Sequence, residues 1–151
     1  MTYDQILNKA AALCSQSEKA PKDIYDKALA WGLDEDDAAR LVQYLTAEHF
    51  LSAERYAHAF VGDKFRFEHW GRIKIGYALR AKGIDDSLID IALEDKIDPD
   101  EYLETCRELL ASKRRTLSDP LTPNDRAKLF RFAAQRGFET SVISRALDFN
   151  L

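Results

Sequence analysis

The chain states its architecture most openly in Ile75-Gly76-Tyr77-Ala78-Leu79-Arg80-Ala81-Lys82-Gly83-Ile84-Asp85-Asp86-Ser87-Leu88-Ile89-Asp90-Ile91-Ala92-Leu93. Ile75 and Leu79 stand eight and four positions before Gly83, and Ile84, Ile89, Ala92 and Leu93 stand one, six, nine and ten after it. The same register recurs around Gly32 (Ile24, Ala28, Leu33, Ala38, Leu41, Val42) and around Gly137 (Leu129, Ala133, Phe138, Ile143, Ala146, Leu147). Positions eight and four before the glycine share one face of a helix. A glycine just past the last turn adopts the left-handed conformation that closes a helix without a Cβ penalty. The apolar residue that follows folds back on the helix just left, and the three later ones form the buried stripe of a second helix. Asp34 and Asp85 are placed to cap that second helix; Glu139 is the weaker equivalent, with Thr140 as the other candidate cap.

Working outward, Pro21 suits the first turn of the first glycine-terminated helix, Gly71-Arg72 takes the same place in the second copy, and Asn124-Asp125 follows Pro123 in the third. A further helix is predicted upstream of each pair, over about residues 2–15, 52–67 and 99–115, and residues 117–123 read as a long loop. Each unit is then three helices, with units at 1–48, 49–97 and 98–151. Units this small bury little surface alone, so stacking must share the core. The expected fold class is all-α, three tandem three-helix repeats in an elongated, curved array.

Composition narrows the function classes. With 46% apolar and 32% charged residues the 151-residue chain can bury a core, which excludes wholesale disorder. Six glycines and four prolines argue against a sandwich or barrel. No apolar run reaches the ~18 residues of a membrane span, and Met1-Thr2-Tyr3-Asp4 lacks the start of a secretory leader. Cys14 and Cys106 are too few for a disulfide framework and too isolated for a zinc site. These features predict a cytoplasmic protein with reduced thiols.

The net charge of -4 conceals segregation. Residues 1–51 hold five Lys/Arg against nine Asp/Glu, and residues 64–82 hold six cations against Glu68 alone. Residues 83–106 hold nine acids against Lys96, and residues 107–136 eight cations against three acids. Screening confines fields to about 8–10 Å, so an acidic protein can still present basic patches. The plain alternative is solvated helix faces with i,i+4 partners.

No catalytic constellation is present. His49, His58 and His69 are scattered, and no phosphate-cradling glycine loop or nucleophile elbow occurs. Catalytic residues, metal, cofactor and small-molecule substrate are all expected to be absent. The run from Lys64 to Lys74 interleaves cations with Phe65, Phe67 and Trp70, a pattern that can stack on bases and neutralise phosphates. Packing is the favoured reading for the aromatics: Tyr56 and Phe60 are i,i+4, Phe67 continues that face, and Trp31 and Trp70 pack between helices. The candidate partner-binding residues are Lys64, Arg66, Arg72, Lys74, Arg80, Lys82, Arg114 and Arg115. Arg72, Lys74, Arg80 and Lys82 are spaced to share parts of one helix surface.

Ala53-Glu54-Arg55-Tyr56-Ala57, Ala59-Phe60-Val61, Lys64, Trp70-Gly71-Arg72, Lys74-Ile75, Leu79-Arg80 and Lys82-Gly83-Ile84 together resemble the RecX family of recombinase regulators. Ala12-Leu13-Cys14-Ser15 with Asp23-Ile24, Lys27 and Trp31-Gly32 resembles that family's first repeat, and Arg136-Gly137-Phe138 through Ala146-Leu147 its last. The resemblance covers essentially the whole chain, and its middle repeat is the most specific part. It implies three three-helix repeats and a partner, the RecA recombinase filament on single-stranded DNA. It further implies docking in the filament groove, restraint of filament growth and suppression of ATPase and strand exchange, as a monomer and by binding alone. The alternatives are a helical module that binds single- or double-stranded DNA independently of RecA, and a helical scaffold for another partner.

Overall fold

Each of the three glycines closes a helix as the register predicts. Gly32, Gly83 and Gly137 have φ of 112°, 76° and 97°. Beside each, the residue after the glycine donates its N–H back across the last turn: Leu33 to Ala28, Ile84 to Leu79 and Phe138 to Ala133. The glycine N–H donates to Leu29, Arg80 and Ala134 in turn. Carbonyls that a helix end would leave bare are thereby satisfied.

The computed structural model describes the backbone of residues 1–150 and the side chains of residues 1–148; Leu151, the end of the third predicted unit, lies outside them. Among the described residues there are nine helices and no strand: α1 (Tyr3–Gln16), α2 (Pro21–Ala30), α3 (Glu35–Ala47), α4 (Ala53–Arg66), α5 (Arg72–Ala81), α6 (Asp86–Lys96), α7 (Pro99–Arg114), α8 (Pro123–Gln135) and α9 (Thr140–Asn150). The fold is all-α, and the glycine-terminated helices are the second, fifth and eighth. None of the helices is long and apolar enough to cross a membrane.

Local chemistry sets the starts. Thr2 and Gln5 form a capping box on α1, Asp34 accepts from the Asp37 N–H on α3, and Asp98 caps α7 with Pro99 in its first turn. α8 begins at Pro123 rather than beyond it, because Thr122 and Asp125 form a capping box. α9 begins at Thr140, so the cap position falls on Glu139 and not on Thr140. Two helix exits use histidine where glycine is usual: His49 and His69 have φ of 63° and 57°.

By backbone proximity the chain divides into two compact units, Met1–Ala59 with Leu79–Ala92, and Phe60–Ala78 with the chain from Leu93 onward. The division runs through α4, α5 and α6. In the first unit α1 packs on α2 and α3. Its core holds Ile6, Ala10, Cys14, Ile24, Ala28, Ala38, Leu41, Leu45 and Leu51, with Trp31 packed at the margin. In the second unit α7 packs on α8 and α9. Tyr102, Cys106, Leu110, Leu129, Ala133, Phe138, Ile143 and Ala146 are buried there. Both cysteines are free and buried.

Candidate partner-binding surface

The second unit contains a junction built on backbone contact. Gly71 donates its N–H to the Arg136 carbonyl (2.7 Å) and Ile73 donates to the Gly137 carbonyl (3.0 Å). The positive start of α5 thus meets the negative end of α8, and each supplies the partners the other lacks. A Cβ on Gly71 would lie 2.3 Å from the Gly137 carbonyl, and one on Gly137 would lie 2.4 Å from the Lys74 Cβ. Only glycine fits at either place.

Beside this junction Arg72 is held in a network. Its Nη1 lies 2.8 Å from Glu139 Oε2, its backbone N–H donates to the Tyr102 hydroxyl (2.9 Å), and its guanidinium lies 4.0 Å from the Tyr102 ring centre. The Tyr102 hydroxyl donates to the other Glu139 oxygen. Burial, then this bond, raises the Tyr102 pKa above its ordinary value. Burial also pushes the Cys106 thiol, one turn along α7, up to about 11.

Among the other candidate cations of this unit, Lys64 and Lys74 converge on Trp70, their ammonium groups 4.8 and 4.3 Å from the ring centre. Such contacts are worth ~0.5–1 kcal/mol at exposed sites and hold the cations near the ring without neutralising them. Trp70 itself is half-buried and meets Phe60 edge-on, with ring centres 6.4 Å apart. Arg66 is exposed and lines an open groove with His69 and with Glu101, Glu104 and Glu108 of α7. Arg114 reaches the Ser118 carbonyl and the Asp119 carboxylate, and Arg115 is exposed at the end of α7.

Arg80 and Lys82 belong to the first unit. Arg80 lies 2.8 Å from Asp86 and Lys82 3.1 Å from Asp23. Surface pairs of this kind are worth about 0–1 kcal/mol, so they do not bar exchange for another anion.

Two features differ from the sequence expectation or were missed by it. Phe67 does not continue the packed face of α4: it is 69% exposed, because α4 ends at Arg66 and the chain turns away at His69. The Arg72–Tyr102–Glu139 network was not foreseen. Its signal was available: the cap after the third glycine is Glu, longer than the Asp of the other two copies, and so able to reach a distant partner.

Comparison with known proteins agrees with this architecture. The family model for the second three-helix domain of RecX matches residues 54–93, and that for the third matches residues 100–147. Regulatory protein RecX of Acinetobacter baylyi is 30% identical over 139 residues, covering 91% of this chain and 83% of its own length. Regulatory protein RecX of Clostridium perfringens is 29% identical over 134 residues, covering 87% of this chain; the match spans 62% of that relative's length. The crystal structure of RecX from Lactobacillus salivarius superposes with a TM-score of 0.83 at 22% identity, over 98% of this chain and 96% of that one. A second RecX crystal structure gives 0.84 at 21%, over 97% and 73%. A glycine-centred repeat of three helices, matched in two successive copies and along most of a 30%-identical relative, places this chain in the RecX family of regulatory proteins.

Proposed function

We propose that this protein binds the RecA filament on single-stranded DNA and inhibits filament growth, ATP hydrolysis and strand exchange, acting as a cytoplasmic monomer and without chemistry of its own. The observation that carries the proposal is membership of a family whose members are named regulatory proteins. The cations nominated for contact are Lys64, Arg66, Arg72, Lys74, Arg80, Lys82, Arg114 and Arg115. Of these, Lys64 and Lys74 suit the task best, being drawn to one aromatic ring and joined to no carboxylate among the described residues. Arg72 supports the surface from within, since it is tied to Glu139 and Tyr102. Co-sedimentation tests the proposal against a DNA-binding module. The protein is expected to pellet with RecA filaments at a salt concentration where it no longer pellets with naked single-stranded DNA. Equal recovery with and without RecA contradicts it.

A further inference from the structure

The longest cationic stretch, residues 107–136, resolves into cations that are neutralised and cations that are not. Arg107 pairs with Glu104 at 3.2 Å and Arg114 with Asp119 at 3.4 Å. Lys113, Lys128, Arg131 and Arg136 make no ion pair among the described residues. Three of these four meet at one place. Lys113 of α7 faces Lys128, Arg131 and Gln135 of α8 across an open groove of about 210 Å³, with Phe132 in its wall and no carboxylate lining it. Positions 128, 131 and 135 fall on one stripe of α8.

Phe132 organises this charge. The Lys113 ammonium lies 5.4 Å from its ring centre and the Arg136 guanidinium 4.6 Å, with the buried Arg136 Nε lacking a hydrogen-bond partner among the described residues. The ring therefore draws two like charges together beside two more. Asp125, one turn before Lys128, attracts it electrostatically, but its carboxylate is turned to the Thr122 N–H of the capping box and does not line the groove. Uncompensated cations gathered in a concavity favour a ligand that carries regularly spaced negative charge.

We propose that the α7–α8 groove binds the phosphodiester backbone of single-stranded nucleic acid. A duplex is read by elements that protrude into its grooves. A concave basic channel instead receives a flexible strand. The assignment is independent of the RecA reading, and its test contains no RecA.

The probe is a fluorescent oligothymidylate, with binding followed by anisotropy at about 50 and about 200 mM salt. The wild-type protein is expected to bind with a log–log salt slope of ~0.7 per phosphate contacted. Lys128→Glu with Arg131→Glu, both exposed, is expected to weaken binding at the lower salt by at least about tenfold and to flatten the slope by ~1–2. The neutral pair Lys128→Gln with Arg131→Gln should shift both readings in the same direction, with an unchanged melting curve. Lys19→Glu with Lys22→Glu, in the first unit, changes the net charge equally and should bind nearly as wild type. The proposal is overturned by absence of wild-type binding at the lower salt, by wild-type affinity in both groove variants, or by equal loss in the first-unit variant. Tighter binding of the matching duplex, or displacement by polyglutamate as effective as by unlabelled strand, also overturns it.

Discussion

Gly71 and Gly83 are both required, for different physical reasons. Gly83 has a left-handed backbone with open space around it, the nearest atoms to an added Cβ being those of Lys22 at 3.8 Å. Gly71 has no such φ, but an added Cβ would strike the Gly137 carbonyl. The first requirement is local and legible in the sequence, because a glycine between two apolar registers marks a helix end. The second is a tertiary approach between residues far apart in the chain, which no local pattern encodes. Gly83→Ala is expected to cost ~1–2 kcal/mol of stability, the left-handed penalty alone. Gly71→Ala should cost ~1–3 kcal/mol as an overpacked contact, and more if the junction separates. Urea midpoints for the two variants check this. A Gly71→Ala protein as stable as wild type contradicts the junction.

At the scale of the element, α7 was foreseen as a helix but not as a participant in the α5–α8 junction. Its apolar periodicity announced the helix. The hydroxyl of Tyr102 did work that periodicity does not report, receiving the Arg72 N–H and donating to Glu139. Two buried acids on this helix link its packing to pH. The Cys106 thiol ionises near its ordinary value of 9.0 when unfolded but only at about 11 when folded. The folded chain then holds a proton that the unfolded chain has released. Native stability is complete below pH 9 and falls between about pH 9 and pH 11, by at most ~1.4 kcal/mol per pH unit for one group. The raised Tyr102 pKa acts in the same direction. Melting temperatures should stay level from pH 7 to about 8.5 and drop above it, with a shallower drop in Cys106→Ala. A melting temperature that rises with alkalinity contradicts this burial.

At the scale of the whole molecule, an average charge of -4 gives way to distinct surfaces. The sequence made the basic stretches visible, because clustering along a helix is a local property. It did not show which cations find carboxylates, because Arg72 meets Glu139 and Lys82 meets Asp23 across long sequence separations. That pairing changes how the surface is tested. Reversing Arg72 would break a network inside the fold, whereas Lys64→Glu with Lys74→Glu alters cations that no carboxylate among the described residues holds. This pair is expected to raise the concentration for half-inhibition of RecA by at least about tenfold, a loss near 1.4 kcal/mol, with helical circular dichroism unchanged. An inhibition curve superimposable on wild type removes Lys64 and Lys74 from the working surface.

The regulatory role itself is tested most directly by RecA's ATP hydrolysis on single-stranded DNA, measured against increasing amounts of the folded wild-type protein. Substoichiometric protein is predicted to lower the rate, and to do so at both low and moderate salt. A rate unchanged across a wide concentration range contradicts the proposal.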